Sequence, residues 1–301
     1  MNGIPTPGGF RRILVALDAS RESDAALAAA AELAQQLDAE LMGLFIEDID
    51  LLNLAALPFS REVAVLSLSG RGLDPERVAR ELRSKAAAAR RALAALAEEH
   101  HLQWSFRIAR GHVDAELLTA SREADLVAVG KGTRPLSGKA RLGSTGRAMV
   151  IQATRSVLLA AGIGGPADAP VAIVYEGSGD SAALALAARL AESDRRHLVV
   201  FVLGDSQPSF AQREVSIRQQ LRALGVSAAI LRLQTSDAAG LLYALQSRPL
   251  SLLILDAIPK LLSDVTLDLL VEKCSCSLLL LRDWTLDRRG STGKQEGIDA
   301  A

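Results

Sequence analysis

The stretch Arg12-Ile-Leu-Val-Ala-Leu-Asp-Ala-Ser20 indicates the fold class of this 301-residue chain. Five apolar residues run without a polar interruption, and an aspartate follows them directly. A short apolar run bounded by turn residues is typical of a strand buried on both faces of a parallel sheet, so we predict a strand over Arg12–Leu17. The alanine- and leucine-rich segment Ala25–Leu37 then favours a helix that packs on the sheet. We expect this helix to start at Ser23 or Asp24, because both residue types cap helices well.

The same alternation of strand and helix continues through the first half of the chain. Asp74-Pro75 predicts the start of a helix that runs toward His100, because proline suits the first helical position. Asp114 similarly predicts the start of a helix over Ala115–Glu123. Further apolar runs predict buried strands at Leu41–Ile46, Ser105–Ala109, Leu126–Val129 and Ser156–Ala160. Buried strands with intervening helices indicate a parallel sheet with right-handed crossovers.

The second half of the chain repeats this pattern. Ala172-Ile-Val-Tyr-Glu176-Gly-Ser178 aligns with the opening stretch, and Ser251-Leu-Leu-Ile-Leu-Asp256 aligns with Asp125-Leu-Val-Ala-Val-Gly130. A linker rich in Gly and Pro, Ala161–Pro170, separates the two copies. We therefore predict two α/β domains at residues 10–162 and 169–284. The Gly-rich polar tail, residues 285–301, is expected to be disordered.

The composition of the chain limits which partners the protein is expected to bind and in which compartment it is expected to occur. The formal net charge is -1, which gives no general attraction to nucleic acid or to a membrane surface, and aromatic residues make up only 3%. No apolar run approaches the roughly 20 residues needed to span a bilayer. Met1–Phe10 lacks the apolar core of a signal peptide. Because Cys274 and Cys276 are the only cysteines, a disulfide framework is not expected. We expect a cytoplasmic protein.

A glycine-bearing loop after the fourth predicted strand has the chemistry of an anion site. It begins at Gly130 and ends with Gly143-Ser144-Thr145 before a helix that is predicted to start near Gly146. Free backbone N–H groups and the helix dipole favour negative charge at such a position. The cations expected to surround it are Lys131, Arg134, Lys139, Arg141 and Arg147. The alternative interpretation is a solvated basic loop. The sequence here matches neither the P-loop nor the dinucleotide-binding glycine motif.

These residues resemble the universal stress protein family in a tandem-domain form. Its nucleotide-binding members carry Gly, two residues, Gly, nine residues, then Gly followed by Ser or Thr, and Gly130 and Gly143-Ser144 match the outer positions. Leu17-Asp18-Ala-Ser20 matches the family's Val-Asp-x-Ser, and Gly111 matches a glycine after the third strand. The family's middle glycine falls on Thr133, and the nearest glycine, Gly132, is one place earlier. Either the loop shifts by one residue so that Gly132 serves, or a Cβ at Thr133 crowds the phosphates and weakens or abolishes binding.

The resemblance implies two Rossmann-like domains, each with a five-stranded parallel sheet of order 3-2-1-4-5. It further implies that ATP, or a related adenine nucleotide, binds the first domain; whether magnesium accompanies it is left open. Asp18 would contact the adenine and ribose, and Phe45 and Ile46 would flank the base. The full set of implied binding residues is Ala16, Leu17, Asp18, Phe45, Ile46, Val129, Gly130, Gly132, Gly143, Ser144 and Thr145.

The second copy departs from the family pattern. Asp256 replaces the first loop glycine and Glu176 replaces Asp18, so acidic groups stand where phosphate would bind. We expect this copy to be a structural partner that packs on the first like the second subunit of a homodimer. The insertion Glu47–Gly72 is interpreted as a lid, as an interface or as a cover for the sheet edge. His112 and Asp114 flank a helix start near the rim of the crevice, where capping and loop packing are favoured over a ligand role.

Two functions follow as hypotheses. The first is a cytoplasmic stress-response sensor or regulator that binds nucleotide and hydrolyses it slowly at most, because no catalytic set is evident in the sequence. The second is a nucleotide-free scaffold, in which the two copies form a pseudo-dimer that binds an unknown protein partner.

Overall fold

Helices and strands alternate along the chain, as the apolar pattern predicts. The structure, a computed structural model, describes residues 9–57, 61–63, 70–72, 74–132, 142–161, 168–175, 182–203, 207–233, 238–246, 248–256 and 264–282. In chain order the elements are β1 Arg12–Leu17, α1 Arg21–Leu37, β2 Glu40–Asp48, α2 Ile49–Ala56, β3 Arg61–Val63, β4 Gly70–Gly72, α3 Pro75–Glu99, β5 Trp104–Gly111, α4 Val113–Ser121, β6 Leu126–Gly130, α5 Ser144–Gln152, β7 Ser156–Ala160, β8 Val171–Tyr175, α6 Ala182–Ser193, β9 Leu198–Leu203, α7 Gln207–Ala223, β10 Ala228–Leu233, α8 Ala238–Gln246, β11 Leu252–Asp256, α9 Asp264–Lys273 and β12 Ser277–Leu281.

Ten strands form one sheet of order β10-β9-β8-β11-β12-β7-β6-β1-β2-β5. Counted within each half, both groups of five strands follow the order 3-2-1-4-5 that the family resemblance implies. Neighbouring strands are parallel except β7 and β12, which run antiparallel with Leu158 opposite Leu279. The fold class is therefore confirmed: two α/β halves continue into one mostly parallel sheet.

The inner strands of this sheet are buried on both faces, which explains their continuous apolar runs. Successive residues of a strand point to opposite faces. Along β1, Ile13 and Val15 join the core on the face covered by α1, α3, α6 and α7. Leu14 joins the core on the face covered by α4, α5, α8 and α9. The small side chains of α1, such as Ala30 and Ala34, are fully buried and let the helix pack closely on the sheet.

The predicted start of α3 is confirmed, because Asp74 caps the helix and its carboxylate accepts a hydrogen bond from the Glu76 backbone N–H at 3.1 Å. Two other predicted starts were wrong. Helix α1 begins at Arg21, since the Ser20 hydroxyl accepts from the Ser23 N–H at 3.1 Å and caps it earlier. Helix α4 begins at Val113, so the predicted cap, Asp114, lies inside the first turn instead. A helix can begin before its apolar pattern does, because the first turn is set by the residues that cap its free backbone N–H groups. The apolar pattern marks only the body of the helix.

The insertion after the second strand has structure of its own. Strand β2 continues to Asp48, α2 follows at once, and β3 and β4 pair antiparallel in a separate two-stranded sheet.

In the described part of the chain, no helix combines the length and apolar character needed to cross a membrane. The predicted domain boundaries stay predictions: β7 ends at Ala160 and β8 begins at Val171, while residues 162–167 and the tail lie outside the described residues.

Candidate functional site

A cavity of about 880 Å³ opens at the carboxyl ends of β1, β2 and β6. Strand β1 pairs with β2 on one side and β6 on the other, so the connections diverge here. Ligands of open α/β sheets bind at such a switch point, and pockets of about 300–1,000 Å³ are usual for small ligands. The described residues that line the cavity are Ala16, Leu17, Asp18, Ser20, Glu22, Ser23, Leu44, Phe45, Ile46, Asp48, Asp50, Leu51, Leu82, Lys85, His112, Val113, Asp114, Val129, Gly130, Gly132, Gly143, Ser144, Thr145 and Gly146.

All the residues that the sequence resemblance assigns to nucleotide binding line this one cavity. They come from the end of β1, the end of β2, and the two ends of the loop between β6 and α5. They are Ala16, Leu17, Asp18, Phe45, Ile46, Val129, Gly130, Gly132, Gly143, Ser144 and Thr145. The contacts of each with a particular part of a nucleotide stay predictions.

The turn after β1 presents Asp18 at the mouth of the cavity. The Asp18 carboxylate accepts a hydrogen bond from the Ser20 backbone N–H at 2.9 Å, which fixes its position beside the cap of α1. Between them, Ala19 has a φ of 61°, a left-handed conformation that is uncommon for a residue with a Cβ. Strained backbone of this kind occurs at functional sites, where the surrounding structure holds it in place. Here Ser20 and its reciprocal partner Ser23 hold it.

Gly130, at the end of β6, is a glycine for a packing reason. A Cβ at this position would lie 2.6 Å from the backbone carbonyl oxygen of Glu22, in the first turn of α1. The glycine therefore lets β6 approach α1 closely. Gly132 has a φ of 85°, so its backbone conformation favours glycine. Neither glycine by itself indicates that phosphate approaches the loop.

Gly143 is different, because nothing in the described part of the chain accounts for its missing side chain. A Cβ at this residue would meet no described atom within 4 Å. Gly143 occupies the cap position of α5 with a φ of -65°, and no side chain caps this helix. The N–H groups of Ser144 and Thr145 therefore stand at an uncapped helix start that lines the cavity. Open space beside uncapped N–H groups fits the approach of an anionic oxygen.

Two of the cations that were expected to surround the loop bind the second half instead, so this prediction was wrong for them. Lys131 is only 6% exposed, and its Nζ donates to the carbonyl oxygens of Cys274 at 2.5 Å and Cys276 at 2.9 Å. Burial lowers the pKa of Lys131, and the neighbouring thiols oppose that shift. Arg147 donates to both carboxylate oxygens of Asp268 in α9, each at 2.5 Å. Lysine and arginine side chains are long and flexible, so the position of their charge depends on which partners lie within reach and not on sequence position alone.

The sequence reasoning missed an acidic wall on the opposite side of the cavity. Asp48 caps α2 through the Asp50 N–H at 2.9 Å, and an Asp50 carboxylate oxygen lies 3.1 Å from His112 Nδ1. Glu22 and Asp114 also line the cavity. Asp48 is the last residue of β2 and Asp50 lies in the first turn of α2, and that position at a strand end was the available signal. The rim position predicted for His112 agrees with the structure.

One described lysine, Lys85 of α3, lines the cavity without an ion pair to the described part of the chain. No local sequence signal distinguishes it, because only the packing of α3 on β2 brings it there. Thr133, Arg134, Lys139 and Arg141 lie outside the described residues. Cys274 and Cys276 are buried free thiols. Within the described residues no cluster of three His, Cys, Asp or Glu side chains is arranged for a metal ion.

The model of the universal stress protein family matches residues 9–161. No curated protein sequence matches the chain significantly. A universal stress protein from Archaeoglobus fulgidus DSM 4304 is similar in structure, with a TM-score of 0.68 and 13% identity over 90% of this chain and 98% of that one.

Two further solved structures share the fold at low identity. A functionally unknown protein from Pseudomonas aeruginosa PAO1 has a TM-score of 0.62 and 15% identity over 91% of this chain and 92% of that one. The cytoplasmic domain of a prokaryotic cation chloride cotransporter has a TM-score of 0.51 and 14% identity, over 92% and 97% of the two chains. Identities this low indicate the fold alone. The family match, in contrast, spans just over half of the 301 residues. The chain therefore belongs to the universal stress protein family.

Proposed function

We propose that this stress-response protein binds ATP or a related adenine nucleotide in the cavity of its first half and acts in the cytoplasm as a sensor or regulator. The observation that carries the proposal is Gly143. Its missing side chain leaves space that no atom of the described residues fills, at a helix start that lacks a side-chain cap. A phosphate oxygen fits there, because orphan N–H groups and the helix dipole both stabilise negative charge.

The opposite wall suits the uncharged parts of the same ligand. Asp18 and the acidic residues of the β2–α2 junction would repel phosphate, but carboxylates accept hydrogen bonds from ribose hydroxyls and adenine amines. Phe45 and Ile46 supply apolar contact at the end of β2. The cavity thus divides into an acidic and apolar side for the nucleoside and a helix-start side for the phosphates. Lys85 also lines the cavity, and its positive charge would favour an anionic ligand.

Isothermal titration with ATP and with ADP, each with and without magnesium, tests the proposal. Gly143→Val fills the open space without a clash in the protein, so it should abolish binding and leave the melting temperature unchanged. Asp18→Asn keeps an acceptor for the Ser20 N–H and should weaken binding by removing charge. Ala223→Val, at the exposed end of α7, serves as the matched control and should bind as the parent does.

Two outcomes would overturn the nucleotide proposal. One is the absence of saturable heat at millimolar ATP and ADP. The other is binding that persists unchanged in Gly143→Val. Absence of binding in a folded protein would favour the second candidate function, a nucleotide-free scaffold. The antiparallel pairing of β7 with β12 is the observation that favours it, because this pairing joins the two halves as a homodimer interface would join two subunits.

A further inference from the structure

The outermost strand of the first half is only partly covered on one face of the sheet. Strand β5 forms the end of the ten-stranded sheet and pairs with β2 alone among the described strands. Its alternate residues Trp104, Phe106 and Ile108 point toward the α3 side. Trp104 and Phe106 are half-buried against the core, whereas Ile108 is 53% exposed. Strands of such sheets are usually covered by helices on both faces, so this face has room for one more helix.

The space beside α3 is a groove of about 880 Å³, which we call the arginine-rimmed groove. Its floor is Trp104, Phe106 and Ile108, and Ala87 and Ala94 of α3 form one wall. Small side chains on a helix allow a neighbouring helix to approach closely, as ridges pack into grooves. The groove is separate from the nucleotide cavity, since no described residue lines both.

Three arginines of α3 rim the groove: Arg83, Arg90 and Arg91. All three are exposed, and none makes an ion pair or hydrogen bond to the described part of the chain. Other arginines nearby do have partners: Arg77 pairs with Glu81 on the same helix, and Arg107 pairs with Glu123 across the sheet edge. The rim therefore carries positive charge that the described part of the chain does not balance.

We propose that the arginine-rimmed groove binds an acidic amphipathic helix of a partner protein. The apolar face of this helix would rest on Trp104, Phe106 and Ile108, and its acidic flank would face the three arginines. Arg83 and Arg90 are seven residues apart, about 10 Å along a helix, so acidic residues one heptad apart on the partner would match them. Burial of apolar surface gives affinity and the charged rim gives selectivity.

Charge decides against a second copy of this chain as the occupant. Two copies that met through this groove would bring Arg83, Arg90 and Arg91 of each chain together, and like charges across an interface are unfavourable. The shape of the site also decides against single-stranded nucleic acid. The aromatic rings are half-buried in the sheet face and packed on the core, so they do not stand clear as a platform for stacking bases.

The test uses the full chain and a labelled helical peptide with a leucine stripe at heptad spacing and glutamates on both flanks. Fluorescence anisotropy should show saturable binding. The triple variant Arg83→Glu/Arg90→Glu/Arg91→Glu should bind more than about tenfold more weakly, because rim charges control electrostatic complementarity. The matched control, Arg122→Glu/Arg222→Glu/Arg248→Glu, makes the same change of charge at exposed arginines outside the groove and should bind like the parent. In a Trp284→Phe background, the emission of Trp104 should shift on binding.

Several results would overturn the proposal. These are no binding at millimolar peptide, equal binding of a peptide with lysine in place of glutamate, and equal losses in the two triple variants. An oligouridylate probe that binds more tightly than the peptide would indicate nucleic acid instead. A concentration-dependent dimer in sedimentation that Ile108→Glu dissociates would indicate a second copy. Because all the substituted arginines are exposed, each triple variant should retain its circular dichroism spectrum, and a nucleotide titration reports on the separate cavity.

Discussion

The Nζ atom of Lys131 lies 2.9 Å from the backbone carbonyl oxygen of Cys276, so a residue that follows β6 in the first half is anchored on the second half. Arg147, at the other end of the β6–α5 loop, is anchored in the same way on Asp268. Both ends of the loop that borders the cavity at the carboxyl ends of β1, β2 and β6 are therefore held by the segment that includes α9 and precedes β12. The second half therefore helps to hold the loop of the first half in position, although the segment from its own Asp256 to α9 carries no glycines.

Lys131→Met should destabilise the protein by about 1–3 kcal/mol, the usual cost of leaving buried acceptors unsatisfied. The substitution keeps most of the side-chain length but removes the donor to Cys274 and Cys276. Urea denaturation measures the effect. Lys85→Met is the matched control, because Lys85 is exposed and its loss should change stability little. Equal stability of the two variants would show that the buried bonds do not stabilise the junction.

Arg147 and Asp268 should show a coupling of about 0.2–1 kcal/mol in a double-mutant cycle, the range for ion pairs that solvent screens. Their side chains are 36% and 47% exposed, so a larger value is not expected. The cycle compares Arg147→Ala, Asp268→Ala and the double variant by urea denaturation. The Arg218–Glu214 pair within α7 provides a reference pair that does not join the halves. A coupling energy of zero would contradict the anchoring role.

Gly130→Ala and Gly143→Ala should differ although both glycines line the same cavity. At Gly130 the new Cβ would lie 2.6 Å from a backbone oxygen, and overpacking of this kind costs about 1–3 kcal/mol. At Gly143 the new Cβ meets no atom within 4 Å, so stability should stay within about 0.5 kcal/mol. Thermal and urea unfolding of both variants measure the difference. A reversed order would refute the packing explanation for Gly130.

Glu32→Gln should stabilise the protein at neutral pH but not in acid. Burial, and then the charge of Asp194 in the second half, raise the pKa of Glu32 above 4.5. The unfolded chain therefore releases this proton at lower pH than the folded one, so stability falls as pH rises from 4.5 through the folded-state pKa. The Glu32 side chain is only partly buried and solvent still screens its charge, so the gain should stay below about 1 kcal/mol.

Melting temperatures at pH 7 and pH 4 test this prediction. The advantage of Glu32→Gln over the parent should be present at pH 7 and should vanish at pH 4, where both forms are neutral at this position. Glu99→Gln, at the exposed end of α3, is the control. An advantage that is the same at both pH values would point to a cause other than the carboxyl charge.

Local signals were sufficient for much of the fold. The apolar runs located β1 and β7 with their observed bounds, Arg12–Leu17 and Ser156–Ala160, because burial on both faces leaves a continuous pattern. Asp74-Pro75 located the start of α3 for an equally local reason, since a cap needs only its own first turn. The start of α1 was misplaced because the cap at Ser20 precedes the apolar pattern by several residues.

Local signals located only the glycine-bearing loop of the candidate site, and the family resemblance supplied the residues of the other strands. Residues near Asp18, Phe45 and Gly143 are distant in sequence, and only the strand order that the family implies brings them to one edge of the sheet. Sequence reasoning could not find Lys85, because it approaches the cavity through the packing of a long helix. In the family pattern the middle glycine of the loop falls on Thr133, which lies outside the described residues. Titration with nucleotide will show whether Gly132 can take the role of that glycine.

The amino-acid sequence by itself determined the alternating elements, the two similar halves and the glycines at the ends of one loop, because hydrophobic periodicity and backbone preference act over a few residues. Only the tertiary structure decided which roles the residues at those ends have. Gly130 makes room for α1, Gly143 leaves open space, and Lys131 and Arg147 bind the second half. The reason is that the antiparallel pairing of β7 with β12 brings hydrogen-bond acceptors of the second half close to this loop, although they are more than a hundred residues away in sequence. The long side chains of Lys131 and Arg147 can then reach the carbonyl oxygen of Cys274 and the carboxylate of Asp268.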